Sequence, residues 1–196
     1  ALQAHLNPHF LFNTLNTIAV RARDGDGQGT ARMVEQLSEV LRRTLGRHRA
    51  NEVTLDDELD LVREYVDIEH ARFSDRLRVT FAIDDAVVDA AVPSFAVQHL
   101  VENAIRHGIS KRPGTGTVTI AASRVGGDLE IVVADDGPGV HDAIVADGHG
   151  IDNTRQRLAV LHGDRASLTL ANAPQGGARA TLRVPFREAV LEANDA

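Results

Sequence analysis

Apolar residues recur along this chain with two different periods, and the point where the period changes divides it. Leu11, Leu15, Ile18 and Ala22 are spaced by three or four residues, the stripe of an amphipathic helix. Asp24-Gly25-Asp26-Gly27-Gln28-Gly29 breaks the stripe with three glycines in six residues. It resumes as Val34, Leu37, Leu41 and Leu45, and stops near Gly46 beside Arg47-His48-Arg49, a basic cluster suited to a helix C terminus. The pattern predicts two helices joined by a short turn. Such a hairpin cannot bury both of its sides alone, so two copies are expected to pair as a homodimeric four-helix bundle. Thr54 followed by Asp56, Asp57 and Glu58 predicts a capped helix start. Leu55, Leu59, Val62, Val66 and Glu69 continue one side of that third helix to about Phe73.

From Leu77 the period becomes two. Leu77, Val79, Phe81 and Ile83 alternate with Arg78, Thr80 and Ala82, as in a half-buried strand. Further strands are predicted at 117–122, 128–134, 166–171 and 178–185, with helices over 94–107 and 151–162. Strands with one apolar face imply helices over that face only. The expected fold class is therefore α+β, a helical hairpin followed by a two-layer α/β sandwich whose sheet is largely antiparallel. In domain terms, residues 1–50 form the hairpin, 51–76 a connecting helix, 77–188 the sandwich and 189–196 a frayed tail.

A formal charge of −7 over 196 residues argues against wrapping nucleic acid, so no direct nucleic-acid partner is expected. Cysteine is absent, which excludes disulfides and thiolate metal sites and fits a reducing compartment such as the cytoplasm. No run of about 18 apolar residues offers a membrane span. The sequence opens without Met inside a helical pattern, so it is read as part of a longer protein, with any membrane anchor in a region outside it.

On the helix over 94–107, Val97, Leu100, Val101, Ala104 and Ile105 form an apolar stripe, and His99, Asn103, Arg106 and His107 are expected to share the opposite side. An Asn amide oxygen is a neutral ligand for Mg2+, which keeps several waters and bridges phosphates. Arg106, nearly one turn on, can meet phosphate oxygens. Taken alone, such a side is more often a solvated helix surface. Asp135-Asp136-Gly137-Pro138-Gly139 follows the strand 128–134. A carboxylate there can accept a hydrogen bond from the exocyclic amine of adenine and repels the oxygen that guanine presents at that position. Gly137 and Gly139 clear the approach, although Asp-Gly turns are common. Gly148-His149-Gly150 leads into the helix at Ile151, where backbone N–H groups can converge on a phosphate. Gly176-Gly177, before the last strand, reads equally as a plain hairpin turn.

Their order and spacing change the picture. An Asn-bearing helix, Asp-x-Gly-x-Gly, Gly-x-Gly at a helix start and Gly-Gly before a strand resemble, in that order, the N box and three glycine boxes of the Bergerat-fold ATP-binding superfamily. The likeness covers roughly residues 77–186. It implies ATP and Mg2+ as ligands, phosphates between Asn103 and Gly150, and a lid over residues 140–147.

Upstream, Pro8 is expected to bend a helix and expose the turn carrying His9, with Phe10, Leu11 and Phe12 anchoring it and Asn13 one turn along. Leu6-Asn7-Pro8-His9-Phe10-Leu11-Phe12-Asn13-Thr14-Leu15-Asn16 closely resembles the phosphoacceptor box of LytS-type sensor histidine kinases. So do Tyr65, Ile68, Glu69, Arg72, Phe73 and Arg76 in the linker, Leu100 to Gly108 in the N box, and Gly150-Ile151 with Asn153, Arg155, Arg157 and Leu158. The resemblance implies a membrane-anchored dimeric kinase whose cytoplasmic portion phosphorylates itself on histidine and then an aspartate of a response regulator receiver domain. Carried over by position, His9 is the phosphoacceptor, Asn103 the Mg2+ ligand and Asp135 the adenine reader. Gly137, Gly139, Gly148 and Gly150 shape lid and cradle, with Arg106, His107 and Ile151 among the nucleotide contacts. Asn13 either orients a water for phosphatase activity toward the regulator or makes a hydrogen bond within the bundle.

Some positions depart from the family pattern. Asp136 stands where Asn is usual, His99 where Pro is frequent and His5 where Gln is frequent; Phe10 follows the histidine where many histidine kinases carry an acid. Two rival readings are a signalling dimer that binds ATP and transfers nothing, and a non-kinase ATPase of the same fold. Such ATPases resemble one another in carrying Glu one turn before the Mg2+-binding Asn, where this chain has His99. A metal site at His5 and His9 lacks a third ligand at helical spacing.

Overall fold

The computed structural model describes residues 8–46, 51–110, 114–140 and 149–189. Helix α1 (Pro8–Arg23) and helix α2 (Gly27–Gly46) form the expected hairpin. In the turn between them Gly25 takes a φ of 78°, and Asp26 caps α2 by accepting the Gly29 N–H on Oδ1 at 2.8 Å. The kink expected at Pro8 falls on the boundary with residues 1–7, and both those residues and the cluster Arg47-His48-Arg49 lie outside the described residues.

Burial corrects the seams of this hairpin. On α2 the buried side chains are Met33, Leu37, Val40 and Thr44, one position off the expected row at three of the four sites. Val34 is exposed and Leu41 only partly covered, while the Leu45 side chain is outside the description. Successive helical residues sit about 100° apart, so the two rows flank one another on a broad apolar face and only the fold selects between them. On α1 Phe10 and Thr14 are buried and Leu11 and Ile18 partly so, whereas Leu15 and Ala22 are exposed. Phe12, expected as an anchor, is 67% exposed. Within the chain the hairpin turns one row toward the next helix and leaves Phe12, Leu15, Val20 and Val34 uncovered.

Strand β1 (Glu52–Thr54) leads into helix α3 (Leu55–Phe73), which starts as expected: Thr54 Oγ1 accepts the Asp57 N–H at 3.0 Å. Helix α3 is the spine of the molecule. Leu55, Leu59, Leu61, Val62, Val66 and Ile68 are all buried, and the helix packs on α2 along one side and on sheet and helix elements along the other. A single apolar cluster runs from Phe10 through α3 to Leu182 and Val184.

The main sheet contains β2 (Leu77–Ile83), β4 (Gly116–Val125), β5 (Asp128–Asp135), β6 (Ser167–Asn172) and β7 (Ala178–Pro185), in the order β2-β4-β5-β7-β6. The β2–β4 pair is parallel and the other three pairs are antiparallel. Strand β3 (Ala91–Pro93) pairs with β1 as a separate antiparallel ribbon. This ribbon was not expected, because strands of three residues are too short to display a period. On β5, Leu129, Ile131, Val133 and Asp135 form one buried row, and Ala178, Ala180, Leu182 and Val184 do so on β7. Helix α4 (Ala96–Asn103) and helix α5 (His149–His162) cover this face, giving the two-layer sandwich. At the edge, Phe81 on β2 is exposed and lies under the Arg63 guanidinium, 5.6 Å from the ring centre.

Helix α4 runs on into a π-helical turn over Ala104–Ile109, closed by a Ser110 N–H bond to Ile105 O at 2.9 Å. This turn corrects the expected polar face. A wider turn delays the rotation of each later side chain, and His107 is carried into the interior, 4% exposed, away from the side expected for His99, Asn103 and Arg106.

Candidate active site

Four glycine and carboxylate positions meet at the end of β5. Asp135 continues the inward row of that strand and is buried. Its Oδ1 accepts the Gly137 N–H at 2.9 Å and the Ala178 N–H at 3.3 Å, which leaves Oδ2 as the oxygen that can take an amine from a ligand. Burial raises the Asp135 pKa, the two N–H bonds oppose that rise, and the neighbouring Asp136 charge adds to it. The surroundings leave no room for side chains. A Cβ at Gly108 would lie 2.6 Å from Asp135 Cγ, one at Gly137 would lie 2.4 Å from Gly108 Cα, and one at Gly177 would lie 1.8 Å from Asp135 O. Gly177 is therefore part of the site rather than only a turn residue. Asp136 turns elsewhere: its Oδ1 accepts the Thr117 N–H at 2.9 Å, tying the end of β5 to the start of β4. Gly139 has a φ of 88°, and the next residue, Val140, donates its N–H to Asn172 Oδ1 at 2.6 Å. Asn172 carried no signal in the sequence. Residues 141–148, which include Gly148 and nearly all of the expected lid, lie outside the described residues.

The second cluster lies where α4 faces α5. Asn103 and Arg106 are half-buried on the α4 continuation. One turn before Asn103, His99 Nδ1 is 3.1 Å from Thr154 Oγ1, and the His99 ring lies against Gly150. Ile151, expected among the nucleotide contacts, is buried in the apolar core and anchors the first turn of α5. Among the described residues, no group of three or more His, Cys, Asp or Glu converges in a way that could hold a metal. A Mg2+ ion that keeps most of its waters and takes one amide oxygen fits this donor set.

What positions α4 is a carboxylate on another helix. Phe95 precedes α4 at φ 65°, ψ 8°, a left-handed conformation for a non-glycine residue. Its N–H donates to Glu58 Oε1 at 2.7 Å, and the Val97 N–H donates to Glu58 Oε2 at 3.1 Å. Glu58 is fully buried on α3. It supplies from a distance the cap that the local sequence lacks, and its negative charge suits a helix N terminus. Read along the sequence, Glu58 was only a first-turn acid of its own helix.

Helix α3 also touches the first turn of α1, which carries the histidine. His9 and Asn13 lie on α1; the His9 side chain is outside the description, and Asn13 is half-buried. The rings of Phe10 and Tyr65 are 4.8 Å apart at 41°. Burial drives the Tyr65 pKa well above its usual range, and its hydroxyl pairs with Glu69. Burial likewise pushes the Glu69 carboxyl up to about 7, against the attraction of Arg72, whose Nη2 is 2.7 Å from Oε2. Glu102 also rises to about 7, through burial first, with the Gln98 amide at 2.8 Å opposing and the Glu69 charge assisting.

Comparison with known proteins identifies the family of both parts of the chain. Residues 1–77 match the histidine kinase family model, and residues 89–188, just over half of the chain, match the model for histidine kinase-, DNA gyrase B-, and HSP90-like ATPases. The chain belongs to the LytS-type sensor histidine kinases. Sensor histidine kinase BtsS of Escherichia coli (strain K12) is 39% identical over 188 residues, covering 95% of this chain and 33% of that protein. Sensor histidine kinase YesM of Bacillus subtilis (strain 168) is 34% identical over 195 residues, covering 97% and 34%. Sensor protein LytS of Enterococcus faecalis (strain ATCC 700802 / V583) is 31% identical over 205 residues, covering 98% and 35%. This LytS-type chain thus spans about a third of the length of these curated relatives. Its fold is similar to that of the blue-light activated histidine kinase of Erythrobacter litoralis EL346, with a TM-score of 0.53 at 20% identity over 91% of this chain and 58% of that one. The mycobacterial sensor histidine kinase MprB gives 0.52 at 20% identity over 70% and 98%.

Proposed function

We propose that this chain is the kinase portion of a two-component sensor, in which His9 takes the γ-phosphoryl group of Mg·ATP and passes it to an aspartate of a response regulator receiver domain. The observation that carries the reading is the close packing around Asp135, where Gly108, Gly137 and Gly177 approach so closely that a Cβ on any of them would collide with the neighbouring backbone or with the Asp135 carboxylate. Asp135 Oδ2 accepts the adenine amine, Asn103 offers its amide oxygen to Mg2+, and Arg106 and the Gly150 end of α5 face the phosphates. Bound Mg2+ neutralises phosphate charge. One imidazole nitrogen of His9 attacks the γ-phosphorus in line, the bond to the bridging oxygen breaks, and ADP leaves with that electron pair. A histidine of ordinary pKa near 6.5 is mostly neutral at pH 7 and presents a lone pair without an adjacent acid, consistent with Phe10 in that place.

The uncovered residues Phe12, Leu15, Val20 and Val34 support pairing of two hairpins as a homodimer. Asn13, on the histidine helix, orients a water toward the phosphorylated regulator and gives the kinase a phosphatase activity; an Asn13→Ala protein that dephosphorylates the regulator at the wild-type rate would remove that role. No described helix is long and apolar enough to cross a membrane, so the anchor implied by the family would belong to other parts of the protein. The deciding experiment incubates the chain with γ-labelled ATP and Mg2+ beside His9→Gln. Acid-labile, alkali-stable label confined to the wild type is the expected result, and equal label in both proteins refutes the assignment.

A further inference from the structure

We propose that His99 and Thr154 form a polar strut that sets the separation between the Asn103-bearing helix α4 and the glycine end of α5, and so act as positioning residues for the terminal phosphates; this rests on the nucleotide reading above. The hydrogens can be assigned from their partners. Thr154 Oγ1 donates its single hydrogen to Gly150 O at 2.8 Å. The same oxygen lies 3.1 Å from His99 Nδ1, where it can only accept, so His99 carries a hydrogen on Nδ1. The result is a directed chain from His99 through Thr154 to the Gly150 carbonyl. It joins the turn before Asn103 to the first turn of α5.

A second contact reinforces the first. A Cβ on Gly150 would lie 3.3 Å from His99 Cγ and 3.4 Å from Cδ2, so the imidazole rests directly against the glycine backbone. On another side, His99 and Thr154 border a cavity of about 400 Å³ lined also by Asn51, Ser94, Asn153, Arg157 and Val160. Since Asn103 and Gly150 grip opposite sides of the phosphate chain, a slackened strut weakens a nucleotide in proportion to the phosphates it carries. The adenine end at Asp135 sits on β5, outside the strut.

Calorimetric titration of the chain with Mg·ATP and with AMP tests this. Thr154→Val and His99→Leu remove the hydrogen bonds at nearly constant volume, while Thr154→Ser and His99→Asn keep a hydroxyl and an N–H donor in place. Loss of a half-buried hydrogen bond of this kind is expected to weaken Mg·ATP about tenfold in the first two variants. AMP affinity stays at the wild-type value, which also shows that the adenine pocket is folded, and the conservative variants recover most of the Mg·ATP affinity. Equal weakening of AMP and Mg·ATP, or His99→Asn and Thr154→Ser no better than His99→Leu and Thr154→Val, overturns the strut. A wild-type chain that binds neither nucleotide overturns the nucleotide reading itself and the strut with it.

Discussion

Glu58→Gln exchanges one buried carboxylate oxygen for an amide NH2 group in the first turn of α3 and removes the charge that holds the start of α4. The carboxylate accepts from Phe95 N–H at 2.7 Å and Val97 N–H at 3.1 Å with no exposure to solvent. Hydrogen bonds to a charged group contribute about 1.5–3 kcal/mol each. Glutamine keeps the shape but has one acceptor oxygen, and its NH2 group faces whichever N–H remains. The expected loss is one charged bond and the weakening of the other, about 2–4 kcal/mol. Glu58→Ala leaves both N–H groups buried without that acceptor and opens a void, for about 3–5 kcal/mol. These are large fractions of an ordinary folding free energy of about 5–15 kcal/mol. Phe95 adds to the effect, because a left-handed non-glycine residue at φ 65° costs about 1–3 kcal/mol and persists only while its surroundings hold it. Urea unfolding followed by circular dichroism at neutral pH measures the loss. Calorimetry on the folded fraction of Glu58→Gln should then show weaker Mg·ATP binding, since Asn103 rides on α4. A Glu58→Gln midpoint that places its stability within about 0.5 kcal/mol of wild type would refute the remote-cap reasoning.

Three further outcomes are expected. Glu69 has its pKa raised from an ordinary 4.5 to about 7, so its stabilising contribution is complete below about 4.5 and is lost as pH rises through 7. Between about pH 5 and about pH 8 the wild type should therefore lose up to about 3 kcal/mol that Glu69→Gln does not lose; parallel urea midpoints for both proteins would contradict this. His162, whose pKa is lowered mainly by burial, shifts both proteins equally in the opposite sense and cancels in the comparison. Gly177→Ala would place a Cβ 1.8 Å from the Asp135 carbonyl oxygen in a residue at φ 83°, so nucleotide binding should fall by at least about tenfold, and unchanged calorimetric affinity would show that the loop yields freely. Leu15→Glu puts a charge on the uncovered α1 face and is expected to shift a dimer toward monomer in sedimentation velocity; an unaltered dimer would place the interface elsewhere.

The sequence alone determined the longer elements, their order and the chemistry each carries, because these are local; the three-residue strands β1 and β3 were too short to show. Helical and strand periods, the Thr54 cap and the inward alternation that places Asp135 on the buried row of β5 are all written within a few neighbouring residues. Phase and partnership are not local. The hairpin carries two adjacent apolar rows, and only packing against α3 selected Met33, Leu37, Val40 and Thr44. A π turn, set by how the end of α4 meets the sheet, carried His107 inward despite its polar spacing. Glu58 finds its donors 37 and 39 residues away, His99 finds Thr154 across 55, and Gly177 is required because the chain returns against Asp135. A hydrogen bond or close approach between segments so distant in sequence depends on the angle between packed elements. That angle is a property of the whole core, and no window of residues contains it.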